Sequence, residues 1–137
     1  VEGNKNAIGY FGYAYYVAHQ KRLKAVEIEW EKNPVNKKPV GPSKETVING
    51  SYAPLSRPLF IYVNKSAAKT RPEVKAFVEY YLKNAAKLSE EVKYVSLPPK
   101  AYELTESRFA KMQAGSAFLG KEHVGLNIED VLAREQK

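Results

Sequence analysis

The chain has 137 residues, of which 44% are hydrophobic and 27% charged, with no cysteine and a formal net charge of +7. That length allows ~70% of the unfolded surface to be buried in one domain or in part of a larger one, and the composition excludes wholesale disorder. The absence of cysteine excludes disulfide scaffolds, zinc–thiolate sites, iron–sulfur clusters and cysteine nucleophiles.

Val1 is not a methionine and no signal-peptide pattern follows it, so the expectation is a processed chain or one that starts inside its parent. Ala7 to Tyr10 reads as a short strand ending at Gly9 and Gly12, after which Tyr13, Tyr16 and Val17 recur at helical spacing. From Lys24 to Trp30 the pattern alternates, with Ala25, Glu27 and Glu29 on one side and Val26, Ile28 and Trp30 on the other, which predicts a half-buried strand. Residues 32–58 are loop-like, carrying Pro34, Pro39, Pro42, Pro54 and Pro58 with Gly41 and Gly50. Within them Ser43 is placed to cap a short helix holding Val47 and Ile48.

Leu59-Phe60-Ile61-Tyr62-Val63 is a continuous apolar run that does not alternate, which predicts a strand covered on both faces, as in a parallel sheet between helices. It is far short of the ~20 apolar residues that a membrane-spanning helix needs. Pro72 then suits the first position of a helix, with Arg71 before it held out of the α region. Val74, Phe77, Val78, Tyr81 and Leu82 fall on one apolar stripe of that helix. A second helix is predicted from Pro99 to Gln113, with Tyr102, Phe109 and Met112 facing inward and Gly115 ending it, and Asn127 is placed to cap a last short helix carrying Ile128, Val131 and Leu132. Strands alternating with helices indicate an α/β protein.

No pattern of catalytic side chains emerges. The only aspartate, Asp130, sits at a predicted helix start, where capping accounts for it, and Glu79 with Lys83 is a helix-surface pair. His19 and His123 each lack a second ligand at metal spacing, Glu122-His123 being the only adjacent couple, so no metal is expected. There is no nucleophile elbow, phosphate-cradling P-loop or dinucleotide fingerprint. Gly9-Tyr10-Phe11-Gly12 has the outline of an RNA-clamping G-x-x-G loop, but the residues between its glycines are aromatic and a strand-to-helix turn accounts for both glycines. The aromatic cluster Tyr10, Phe11, Tyr13, Tyr15 and Tyr16 reads as core, since no basic residue interleaves it as a base-stacking platform requires. Charge is uneven: residues 1–68 hold ten basic against five acidic side chains, the excess lying in Lys21, Arg22, Lys24, Lys32, Lys37, Lys38 and Lys44. A solvated basic loop accounts for this; the competing reading is a nucleic-acid surface.

Two strings go beyond generic patterning. Asn6-Ala7-Ile8-Gly9-Tyr10-Phe11-Gly12-Tyr13-Ala14-Tyr15 is one, and the more specific is Asn49-Gly50-Ser51-Tyr52-Ala53-Pro54-Leu55-Ser56-Arg57-Pro58-Leu59-Phe60-Ile61-Tyr62-Val63. Together with Arg71–Phe77, Gly115–Phe118 and Val124–Leu132 they resemble the extracytoplasmic phosphate-binding protein of the Pst-type phosphate ABC importer, and the tail is similar to cyanobacterial-type members. The resemblance implies the C-terminal part of a two-lobed, type II periplasmic binding protein, an α/β fold with a parallel or mixed sheet flanked by helices and incomplete in this chain. Residues 1–50 would end the second lobe, 51–58 would form the return crossing, and 59–137 would complete the first lobe.

The implied partners are inorganic phosphate, the importer's permease subunits and the N-terminal part of the same receptor; no nucleic acid, metal, cofactor or catalytic residue is implied. The location would be periplasmic or extracytoplasmic, with a lipid anchor in the full-length protein. In the family, helix-start amides, hydroxyls and an arginine hold the anion. The family's arginine and Ser-Gly-Thr motif is absent here, and Asp130 matches the tail rather than the proton-accepting aspartate. Ser56 and Arg57 on the crossing are therefore the nearest candidates for lining the cleft, while the leading reading of Arg57 is structural, tying the crossing to its neighbours. The rival readings are a basic nucleic-acid-binding domain built on residues 19–44 and a phosphate-ester enzyme.

Overall fold

The computed structural model describes residues 1–115 and Ile128, and the predicted features at Ser116–Phe118, Glu122, His123, Asn127 and Asp130 lie outside the described residues. Among residues 1–115 five helices follow one another: α1 (Tyr13–Ala18), α2 (Lys44–Ile48), α3 (Lys65–Thr70), α4 (Pro72–Glu91) and α5 (Pro99–Ala110).

The helix signals act as local chemistry requires. Ser43 caps α2 through a reciprocal box: its hydroxyl accepts from the Thr46 amide at 3.0 Å, while the Ser43 amide donates to Thr46 Oγ1 at 2.9 Å. Asn64 caps α3 by a single bond, its side-chain oxygen accepting from the Ala67 amide at 3.0 Å. Arg71 is extended (φ −118°, ψ 104°), so it ends α3 and starts α4, with Pro72 at the first helical turn where its missing N–H costs nothing.

Helix α4 is the spine. Its twenty residues run about 30 Å and pack against both α3 and α5. The predicted stripe divides when it meets these neighbours. Val78, Leu82 and Ala85 are buried and Val74 is half-buried, whereas Phe77 and Tyr81 turn outward, Phe77 being 68% exposed. Ala68 of α3 and Ala101 of α5 are the buried residues of their helices, and side chains this small let helix axes approach closely.

Both long helices end on a non-glycine residue in the left-handed region. Lys93 (φ 64°) follows α4, with the Tyr94 amide donating to the Ser89 carbonyl at 2.8 Å and the Lys93 amide to Glu90 at 3.0 Å. Met112 (φ 49°) follows α5 with the same pair of bonds, from Gln113 to Arg108 at 3.1 Å and from Met112 to Phe109 at 2.9 Å. This double closure satisfies the last carbonyls of each helix. It also ends α5 at Ala110, ahead of the predicted stop at Gly115, while Tyr102, Phe109 and Met112 are half-buried as expected.

The strands predicted at 7–10, 24–30 and 59–63 are not formed among the described residues. Among the described residues an isolated antiparallel bridge joins Ile28 and Val40, with reciprocal amide–carbonyl bonds of 3.0 and 2.9 Å. In the 24–30 segment Ile28 and Trp30 are half-buried but Val26 is exposed. Residues 59–62, expected to be covered on both faces, are exposed, Leu59 at 76% and Tyr62 at 91%. A strand owes its burial to neighbours about 4.8 Å away and to helices above and below, and no described segment supplies either here.

Candidate functional site

The best-organised polar centre lies around Asn33, where an Asn-Pro pair breaks the chain. Asn33 is 2% exposed. Its side-chain amide donates to the Ser51 carbonyl at 2.9 Å and to the Gly50 carbonyl at 3.4 Å, and its side-chain oxygen accepts from the amides of Val35 at 2.8 Å and Asn36 at 3.2 Å. All four bonding directions of the side chain are thus used, as a buried amide requires. Gly50 reaches this position with φ 78°, a region open to glycine at little cost.

The Asn33 clamp fixes the start of the 51–58 segment. Beyond it, Ser51 is buried and its hydroxyl donates to the Thr46 carbonyl at 3.3 Å, the Tyr52 amide donates to the same carbonyl at 2.8 Å, and Ala53 is 3% exposed. Burial, with a smaller contribution from the nearby Tyr10 phenol, pushes the Tyr52 hydroxyl above the usual tyrosine range. Up to Tyr52, then, this segment is tied by hydrogen bonds to α2 and to the 31–36 loop.

Ser56 and Arg57 follow on this anchored stem. Ser56 is half-buried, and its hydroxyl donates to the Tyr52 carbonyl. An oxyanion needs donors, so Ser56 would have to exchange that bond before serving one. Arg57 is exposed. The open groove nearest in sequence, about 410 Å³, is lined instead by Asn64, Ser66, Ala67, Thr70 and Arg71. There the Asn64 side chain is used in the α3 cap and the Thr70 hydroxyl donates back to the Ser66 carbonyl at 3.0 Å.

The other singled-out residues fall into local roles. His19 is exposed, with Nδ1 2.8 Å from the Tyr15 carbonyl, a bond within one helical turn that places the proton on Nδ1. Among the described residues no three His, Cys, Asp or Glu side chains cluster to hold a metal ion. All seven residues of the basic excess are exposed, and two are paired: Arg22 with Glu2 at 2.5 Å and Lys44 with Glu90 at 2.6 Å. The aromatic cluster divides, Tyr13 and Tyr16 being half-buried with ring centroids 6.4 Å apart, while Tyr10, Phe11 and Tyr15 are exposed.

Comparison with curated proteins gives this arrangement its family context. The chain is 45% identical over 135 residues to Protein SphX of Synechococcus elongatus, covering 98% of this chain and 39% of that protein. It is 40% identical over 129 residues to Protein SphX of Synechocystis, covering 94% and 37% respectively. It is also 45% identical over 102 residues to the phosphate-binding protein PstS of Staphylococcus aureus, covering 74% of this chain and 30% of that one. These proteins are homologues of the chain, which spans about two fifths of the SphX length and about a third of the PstS length. No family model matches the chain, and neither does any solved structure.

Proposed function

We propose that the chain is part of an extracytoplasmic solute-binding protein that captures inorganic phosphate for an ABC importer. The observation that carries this reading is the 45% identity, over 102 residues, to a protein named for phosphate binding. Residues 1–50 form the end of one lobe, 51–58 the return crossing, and 59–137 the C-terminal part of the other, in a two-lobed type II α/β fold. The anchored stem at Ser51–Tyr52 supports a crossing of this kind, because it fixes where the segment starts. The exposure of Leu59, Phe60, Ile61 and Tyr62 supports a strand whose neighbours come from the rest of the receptor.

In this reading two lobes close on the anion and open at the permease subunits, so binding selects the closed arrangement. Most phosphate ligands come from the N-terminal part of the receptor, and Arg57, with Ser56 behind it, lines the cleft. The protein is not an enzyme, and its place is outside the cytoplasmic membrane, tethered through a lipid on the complete receptor; no described helix is long and apolar enough to cross a membrane. Calorimetric titration of the complete receptor tests the reading: saturable binding of phosphate with sulfate excluded is expected, and Arg57→Ala should weaken it. Preference for another oxyanion, or no anion binding at all, would overturn it. Binding of DNA or RNA that weakens steeply with salt would instead favour the nucleic-acid reading.

A further inference from the structure

Residues on the two sides of the crossing are joined by one ion pair. Lys44, in the first turn of α2, and Glu90, near the end of α4, are 46 positions apart in the chain, yet Nζ lies 2.6 Å from Oε1. The Ser96 hydroxyl donates to the same carboxylate oxygen at 3.1 Å. The pair stands at a groove of about 280 Å³ whose walls come from both sides: Tyr13, Val17 and Lys44 from one, Glu90, Lys93, Tyr94 and Val95 from the other.

We propose that Lys44 and Glu90 form a latch between the two lobes, biasing the receptor toward the arrangement in which residues 1–50 and 59–115 are drawn together. The proposal rests on the lobe assignment under Proposed function. An ion pair holds only while its atoms stay within ~4 Å, so any swing that opens this groove must break it. Among the described residues Lys44 is the cation paired with Glu90, and the closure of α4 just after Glu91, through Lys93, fixes where the carboxylate stands. Lys44 and Ser96 together hold the Glu90 carboxyl below the usual range, so it is ionised near neutral pH. Both side chains are more than half exposed, so salt screens the latch. Such a contact adds its worth only to the drawn-together state, and a ligand that selects that state feels the same bias.

The magnitude is modest because the pair is exposed. A surface pair of this kind corresponds to about a two- to five-fold change in the population ratio, and in phosphate affinity wherever the ligand selects the latched state. The test uses the complete receptor with Glu45→Cys and Glu91→Cys as spin-label sites, this chain having no cysteine of its own. The label-to-label distance distribution is measured in four backgrounds: unchanged, Lys44→Glu, Glu90→Lys, and both reversals together. Each single reversal should lengthen or broaden the distribution, and the double reversal should restore it. Added salt should bring the unchanged receptor toward the single variants. An unchanged distribution in the single variants, or no restoration in the double, overturns the latch. Phosphate titration of the same four proteins then separates the two claims: phosphate binding that is indifferent to the reversals overturns the coupling of latch to ligand, whereas a receptor that binds no phosphate overturns the phosphate reading and leaves the latch to the distances.

Discussion

Replacing Asn33 is the sharpest perturbation available in the described structure. Asn33→Ala removes two well-formed buried hydrogen bonds, to the Ser51 carbonyl at 2.9 Å and from the Val35 amide at 2.8 Å, and two longer ones, to the Gly50 carbonyl at 3.4 Å and from the Asn36 amide at 3.2 Å. At about 1 kcal/mol net for each good bond and less for each long one, the loss is about 3 kcal/mol. Asn33→Asp tests the donor half alone. The retained oxygen still accepts from Val35 and Asn36, but a carboxylate oxygen now faces two carbonyl oxygens where the amide nitrogen donated. The burial of an unpaired charge makes this variant the worse of the two at neutral pH, by about 3–5 kcal/mol relative to the parent.

Its pH dependence has a definite sign. Burial raises the folded-state pKa of the new carboxyl above the unfolded value of about 3.9. The protonated form, able to donate to Ser51 again, is therefore favoured in the fold, and its stability is present at low pH and lost as pH rises through the folded pKa. The two variants should approach each other in stability on acidification. Urea unfolding followed by far-UV circular dichroism reads the global loss. The single tryptophan, Trp30, reads the site, because its carbonyl accepts the Asn33 amide at 2.9 Å. An Asn33→Ala variant within about 0.5 kcal/mol of the parent, or an Asn33→Asp variant as stable as the parent at neutral pH, would refute the clamp.

Three shorter predictions accompany it. Lys93→Gly should stabilise the chain by about 0.5–1 kcal/mol, since glycine takes φ 64° without the Cβ penalty that lysine bears, and a lower unfolding midpoint would count against the helix end described here. Leu82→Ala should cost about 2–4 kcal/mol, because Leu82 is 7% exposed and sits on the α4 face that packs between its neighbours, while Phe77→Ala, at a 68% exposed position, should cost far less in the isolated chain. Tyr52 should titrate late in alkaline difference spectroscopy. Its raised folded pKa favours the neutral phenol, so that contribution is intact below the ordinary tyrosine value and is lost as pH rises through the folded one, and Tyr52→Phe should remove the late phase.

How much could be read in the sequence depended on whether the information was local. Ser43 with Thr46, and Pro72 after Arg71, fix helix starts through groups within four residues, and both starts stand where the pattern placed them. The α5 stop was misplaced because the left-handed residue is Met112, and nothing in a methionine announces a positive φ as a glycine does. The α4 stripe was correct in period and too wide in extent: spacing shows that Phe77 and Val78 share a face, but only the positions of α3 and α5 decide which of them is covered. Asn33 was missed because its partners at Gly50 and Ser51 lie 17 and 18 residues away, and its one local signal, the Asn-Pro pair, reads as an ordinary turn. Ser56 and Arg57 were reached through resemblance; their side chains follow no spacing that would single them out.

The apolar run at 59–63 leads to the last prediction. The run has the composition of a buried strand, and in the described structure Leu59 is 76%, Phe60 42%, Ile61 45% and Tyr62 91% exposed. On α4, Phe77, Tyr81 and Leu88 are also exposed and are spaced to fall on one helix face. Covering one large apolar side chain is worth about 1.5–3 kcal/mol, so several of them left open give a strong drive toward any surface that can cover them. The SphX homologue, of which this chain spans 39%, carries further length that would supply such a surface under the proposed reading. In its absence, a second copy is the nearest substitute, because an unpaired strand templates another. The isolated chain should therefore self-associate in a concentration-dependent manner, as read by sedimentation velocity, and Leu59→Lys with Ile61→Lys should shift it toward monomer. The same pair in the complete receptor should instead destabilise the fold, since there the positions would be interior. A chain that stays monomeric at high concentration, together with a complete receptor indifferent to both lysines, would show that this run is a surface segment and not a strand awaiting its neighbours.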